Sequence, residues 1–254
     1  MNPILNRTLL LSAICSGLLL GMLGSAPLRA AETTAGASLG LVSDYRVRGV
    51  SQTQRNPAVQ AGWTLSSDSG FSLKFWGSNV DFSSADGSAS TSLELDLVMR
   101  YSDAFGDSES ASWSVAFGQY YYPGYDELNY PELYLDLAFG DFTVELVHSD
   151  DYAATGDTAV IGILGYSFGL GEGLNLGMSY GSVSTDIRLF GDTGDPTSRD
   201  FTDSFGFYRI SLSRQWRPDG VTLSLQWHDT DVDETHCPNN TCTGAWVAGI
   251  SQSF

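Results

Sequence analysis

From about residue 36 onward, apolar side chains recur at every second position, and a 3.6-residue helical period is almost absent. Between 92 and 101, Leu93, Leu95, Leu97, Met99 and Tyr101 share one face, while Glu94, Asp96, Val98 and Arg100 share the other. Between 131 and 139, Leu133, Leu135, Leu137 and Phe139 oppose Glu132, Tyr134, Asp136 and Ala138. The same alternation runs through 174–180 and 221–227 and, less cleanly, through 36–50, 57–66, 70–81, 112–122, 142–149, 157–168, 204–214 and 244–254. A period of two puts successive side chains on opposite faces of a strand, so the pattern predicts twelve strands that each separate two environments.

The connections sort into two kinds. Odd-numbered ones are polar segments near 51–56, 82–91, 123–130, 150–156, 184–203 and 230–243. Even-numbered ones are mostly tight, at 67–69, 140–141, 169–173 and 215–219, with a longer polar exception at 103–111. An even strand number with long loops at one end and short turns at the other predicts an all-β fold, a transmembrane antiparallel up-and-down β-barrel of about 12 strands. Both termini would then lie with the short turns, on the periplasmic side of the outer membrane of a Gram-negative bacterium. A soluble sandwich has no reason to sort its loops by length.

The polar faces strengthen this reading. Asp44, Arg46, Arg48, Lys74, Glu94, Asp96, Arg100, Glu132, Asp136, Glu145 and Arg209 fall opposite the apolar positions. Charges of both signs are costly in a dry core but cheap in a water-filled lumen, which makes these residues the candidates for a lumen lining or constriction. On a strand spanning 36–50, Arg46 and Arg48 point the same way. With Glu94, Asp96, Glu132 and Asp136 they would form either a transverse field or salt bridges that fill the barrel. Trp63, Phe71, Tyr101, Trp113, Phe139, Tyr180, Trp227 and Trp246 stand near strand ends, where an interfacial girdle belongs.

Residues 1–30 have the anatomy of a secretory signal peptide: Arg7 in a polar start, an apolar core from Leu9 to Leu23, and Leu28-Arg29-Ala30 before the expected cut. Cys15 does not make a lipoprotein signal, because Ile14 stands where a small residue is needed. The remainder, 31–254, is expected to be one outer-membrane β-barrel domain, without a plug domain ahead of its first strand. It ends in Phe254, on the face of Trp246, Ala248 and Ile250, and a terminal aromatic on an alternating strand is the expected signal to the barrel-assembly machinery.

The chain of 254 residues carries 12 Lys+Arg against 30 Asp+Glu, and loss of 1–30 removes Arg7 and Arg29 but no acid. So acidic a chain has no basic face for nucleic acid. Acids concentrate in the long loops: Asp126, Glu127, Asp150, Asp151, Asp157, Asp186, Asp192, Asp195, Asp200, Asp203, Asp229, Asp231, Asp233 and Glu234, against Arg55, Arg188 and Arg199. A mouth of one sign concentrates cations and repels anions. Cys237 and Cys242, with four residues between them, read as a disulfide in an exported chain; a zinc site would need more ligands than His236 adds. No cofactor is expected. Asp229-x-Asp231-x-Asp233 lacks the Gly and the closing Glu of a calcium loop, since Glu234 and Asn240 stand in their places.

Several segments resemble the TorF family of porins. They are residues 43–53 (Ser-Asp-Tyr-Arg-Val-Arg-Gly-Val-Ser-Gln-Thr), 75–82 (Phe-Trp-Gly-Ser-Asn-Val-Asp-Phe), 120–124 (Tyr-Tyr-Tyr-Pro-Gly) and 129–134 (Asn-Tyr-Pro-Glu-Leu-Tyr). The resemblance covers the first half of the exported chain and implies an outer-membrane barrel with a pore. It supplies no substrate. The expected function is passive diffusion of small solutes, favouring cations or neutral molecules. The alternatives are a non-conducting structural barrel and an outer-membrane hydrolase. His148 and Ser149 adjoin on a strand and so face opposite ways, which leaves a hydrolase without a nucleophile–base pair. Outer-membrane lipid, the assembly machinery and small solutes are the expected partners, and a monomer is favoured over an oligomer.

Overall fold

In the computed structural model, residues 32–83, 87–108, 110–185, 190–191, 201–202, 204–216, 220–233 and 236–254 are described. Residues 1–30, the expected signal peptide, lie outside them, as do the loop residues Asp186, Arg188, Asp192, Asp195, Arg199, Asp200, Asp203 and Glu234.

Twelve strands form one closed antiparallel barrel. In chain order they are β1 (Thr33–Val42), β2 (Ala58–Ser67), β3 (Phe71–Ser83), β4 (Ser90–Ala104), β5 (Ala111–Tyr121), β6 (Tyr130–Phe139), β7 (Phe142–Ser149), β8 (Ala159–Gly171), β9 (Leu174–Thr185), β10 (Ser204–Trp216), β11 (Val221–Thr230) and β12 (Ala245–Ser253). Each strand pairs with its sequence neighbours, and β1 closes the ring on β12 from Ser38 opposite Ser253 to Val42 opposite Gly249. Beyond that register, Phe254 donates its N–H to the Ala37 carbonyl at 2.9 Å and accepts from the Ala37 N–H at 3.2 Å. Closure leaves no strand edge, so the ladder satisfies the backbone polar groups of the wall.

The alternation settles which face meets which solvent. Leu39, Leu41, Leu95, Met99, Leu133, Leu146, Leu164, Ile210 and Leu225 are all exposed on the outer wall. A surface so apolar and so contiguous is stable against hydrocarbon rather than water. At the short-turn end, Phe71, Tyr101 and Trp113 form a chain of ring contacts with centroids 4.8 and 5.7 Å apart, and Phe142 with Tyr166 continues the belt at 4.6 Å. Trp227 and Trp246 meet at 5.4 Å toward the other end. Short turns join β2–β3, β4–β5, β6–β7, β8–β9 and β10–β11, and both ends of the barrel chain lie with them. The Glu172-Gly173 turn, with φ of 51° and 76°, is the mirror-image type whose twist matches that of the strands it joins.

Two boundaries differ instructively from the sequence pattern. Strand β4 runs past its apolar stretch at both ends, because polar Ser90, Thr91 and Asp103 still pair with neighbours outside the apolar band. Strand β1 is shorter than the expected 36–50 and stops at Val42. Residues 46–51 instead form a hairpin of their own, with Arg46 opposite Ser51 and Val47 opposite Val50. The period of two persists there, but it belongs to a second small ladder that leaves the wall. Of the 184–203 connection, Phe190–Gly191 pairs with Phe201–Thr202, while 186–189, 192–200 and 203 lie outside the described residues.

An arginine on the lipid face of this wall should be expensive. Leu135→Arg, mid-strand on β6, is expected to lower unfolding free energy by roughly 2–4 kcal/mol in a urea titration in phospholipid vesicles.

Candidate functional site: a lumen crossed by an inward loop

The connection 43–57 folds into the barrel, and its hairpin is built for that place. Arg48 and Gly49 form the two-residue turn with φ of 50° and 83°. A Cβ on Gly49 would lie 2.5 Å from Thr230 Cγ2 and 3.2 Å from Phe207 Cβ, so both the backbone conformation and the space ask for glycine. Arg48 holds a left-handed conformation that a non-glycine residue adopts only at a cost, and its guanidinium explains why it stays. Nη2 lies 2.8 and 2.9 Å from the two carboxylate oxygens of Glu132 on β6, and Nη1 donates to the Tyr152 hydroxyl at 3.3 Å. The tip of a loop that leaves the wall after β1 is thus anchored to a strand five places around the ring.

The base of the hairpin is tied as firmly. Arg46 Nε donates to Asp44 Oδ2 at 2.6 Å, and its Nη1 donates to the carbonyls of Gly49 and Thr243 at 2.9 and 2.8 Å. Asp44 Oδ1 accepts from the Ser51 hydroxyl at 2.5 Å. The Ser51 N–H donates to the Thr241 carbonyl at 2.8 Å, and Arg55 donates to the Asn240 carbonyl at 3.0 Å. These acceptors belong to the segment that the Cys237–Cys242 disulfide closes into a small ring, with Cα atoms 5.7 Å apart. Val50 then packs against a buried cluster of Val147, Ile161, Val183, Phe205, Phe207, Val232, Cys237 and Cys242. On the opposite side Tyr45 stacks obliquely on Trp76 of β3 at 5.4 Å. The long-loop end of the lumen is thereby narrowed by a folded plug with its own small core.

Below the hairpin, toward the short turns, the lumen opens into a cavity of about 860 Å³. Arg46, Arg48 and Gly49 roof it, and Arg100, Asp136, Glu145, Arg209 and His228 stand on its walls among serines and tyrosines. Arg100 is paired with Asp136, and the Ser114 hydroxyl donates to that carboxylate at 2.8 Å. Tyr120, Tyr134 and Glu132 form a hydrogen-bonded chain that continues the Arg48 anchor down the wall.

The sequence candidates therefore part company. Lys74 on β3, Glu94, Asp96 and Arg100 on β4, Glu132 and Asp136 on β6, Glu145 on β7 and Arg209 on β10 all stand on inward-facing positions of the wall. Asp44, Arg46 and Arg48 do not: they sit on the inward loop, and the expectation that Arg46 and Arg48 share one strand face is corrected by the end of β1 at Val42. Arg46 turns to Asp44 and Arg48 to Glu132 as salt bridges, and Glu94 and Asp96 take part in neither. Glu94 is 2% exposed and accepts from the Tyr122 hydroxyl at 2.8 Å instead. The inward Ser114, Ser167, Ser179 and Ser211 complete the cavity without having been singled out, beside His228, which lies 3.0 Å from Gln226. Their signal was present, as small polar residues alternating with Leu, Met and Ile.

Residues 28–254 match the family model described as a bacterial protein of unknown function (Gcw_chp), and the chain belongs to that family. No curated protein matches it. Among solved structures, the chain is similar to the KdgM porin, at 12% identity and a TM-score of 0.50, over 86% of this chain and 99% of that one. It is similar to the NanC porin at 9% identity and a TM-score of 0.52, over 87% and 99%. A structure described as "KdgM porin in complex with disordered oligogalacturonate" gives 11%, 0.51, 88% and 99%. At these identities the likeness establishes the closed barrel that outer-membrane porins share.

The Arg48–Glu132 pair can be tested directly. Glu132→Ala leaves a buried guanidinium uncompensated and is expected to cost about 3–5 kcal/mol of unfolding free energy. The Arg48→Ala, Glu132→Ala double variant should cost clearly less than the two single losses added together, and a double-mutant cycle by denaturant titration reads that coupling.

Proposed function

We propose that this protein is a narrow outer-membrane channel for passive diffusion of small solutes. The observation that carries the reading is the polar cavity inside a closed barrel whose outer wall is apolar. A barrel that serves only as a wall needs no such water-lined interior. Twelve strands lie between the side-chain-filled eight and the open sixteen, so a lumen narrowed by one loop is in keeping with the strand count. The similar solved structures are porins, and of the segments that resemble the TorF family, 43–53 builds the inward loop.

In this reading residues 1–30 direct export, the termini face the periplasm, and Phe254 is the mark read by the assembly machinery. Small cations and neutral molecules are favoured over anions, because Asp126, Glu127, Asp150, Asp151, Asp157, Asp229, Asp231 and Asp233 gather with the long loops. A second reading, a non-conducting surface barrel without enzymatic activity, has one observation in its favour: the apolar cluster of Val50 with Phe205, Phe207 and the disulfide, which thickens the plug.

Single-channel recording in a planar bilayer under a salt gradient separates these. Discrete steps with a cation-selective reversal potential are expected, and a folded but silent barrel would overturn the channel reading. Because the hairpin is hydrogen-bonded to the segment that the disulfide closes, the Cys237→Ser, Cys242→Ser variant should show larger and noisier unitary steps than the parent. Unchanged steps would remove the inward loop as the constriction.

A further inference from the structure

Once the ion pairs of the lumen are assigned, Arg209, Glu145 and Asp141 of the cavity lining are left without an ion pair among the described residues. Arg48 is held by Glu132 and Arg100 by Asp136. Arg209 makes no ion pair or hydrogen bond among the described residues and stands exposed to the cavity from β10. Glu145 stands in the same space on β7, hydrogen-bonded to Asp136 opposite it, and meets no cation at ion-pair distance among the described residues. Between them β8 and β9 present Ile163, Gly165, Ser179 and Gly181 to the lumen, three of the four small. Ser179 is the direct cross-strand neighbour of Arg209 on one side, and His228 on the other. Three strand steps, about 14 Å along the curved wall at ~4.8 Å per strand, separate the Glu145 and Arg209 backbones.

We propose that this strip is a binding subsite for small zwitterionic solutes, such as amino-acid-like molecules, within the channel. The inference rests on the channel reading and names the class of solute for it. A guanidinium free of an internal partner offers a carboxylate two parallel N–H donors. A carboxylate without a cation receives an ammonium group a few bonds away, while the serine hydroxyls satisfy the polar atoms between them. A solute with only one charge fills half the site and leaves the other group to water. The paired Arg48 and Arg100 frame the strip without competing for the solute. Gly165 and Ser179 are what keep room for it, since a larger residue at either would occupy the interval itself.

The test uses protein purified from the membranes of an expressing host, in detergent micelles, with three matched probes: γ-aminobutyrate, butyrate and butylammonium. Equilibrium binding by calorimetry is expected to be saturable for γ-aminobutyrate and roughly tenfold weaker for each singly charged probe. Arg209→Gln and Glu145→Gln should each bring γ-aminobutyrate down to the level of the single-charge probes while leaving the heat-modifiable gel shift of the folded barrel unchanged. Absence of saturable binding, equal binding of the three probes, or binding that survives both substitutions would overturn the subsite. Binding with no ion conductance in a bilayer would overturn the channel reading and leave the subsite standing. Conductance without binding would do the reverse.

Discussion

The constraint on which everything else rests is that a strand in hydrocarbon cannot leave an N–H or C=O unpaired. The twelve-stranded ladder meets it only because β1 and β12 find each other, from Ser38–Ser253 to Val42–Gly249 and on to the Ala37–Phe254 pair. Closure forces one face of each strand outward and the other inward. That division then dictates the composition: Leu, Met, Ile and aromatics on one parity, and Ser, Gly, Thr and charge on the other. The outer aromatics gather at the barrel ends, where a ring can meet both hydrocarbon and water.

Inside the ring a different physics applies. A lumen lined with polar groups pays for burying charge only where the loop fills it, and there the two buried arginines of the loop are each matched. Arg46 meets Asp44, and Arg48 meets Glu132, with side chains almost inaccessible to solvent. Breaking such a pair leaves one desolvated charge without compensation, so the pairs fix the loop in one position as well as holding it. The disulfide-closed segment, Val50 and the Phe205–Phe207 cluster add an apolar seat. The plug is thus both bonded and packed, whereas the cavity beneath it stays open, with Arg209 and Glu145 in its lining.

Much of this was legible in the chain. Leu93 to Tyr101 and Leu133 to Phe139 declare strands with one apolar face, and alternating loop lengths declare which end is which. The pairing of Cys237 with Cys242 was expected from their spacing in a chain read as exported. The site was less legible. Alternation across 44–50 looks the same whether those residues continue a wall strand or make a separate hairpin, because both have a period of two. The clue lay in Arg48-Gly49, a dipeptide that can turn with two positive φ angles, but arginine is an uncommon first member of such a turn.

What the sequence determined by itself was the class of structure: strand number, inward and outward faces, and the sign of charge available to each. These follow from local periodicity, which any short window of the chain displays. Only the tertiary structure decided which charges cancel. Arg48 and Glu132 stand 84 positions apart, and the Arg209–Glu145 interval depends on three intervening cross-strand registers. Long-range register is set by closure of the whole ring, and no local stretch of sequence carries it.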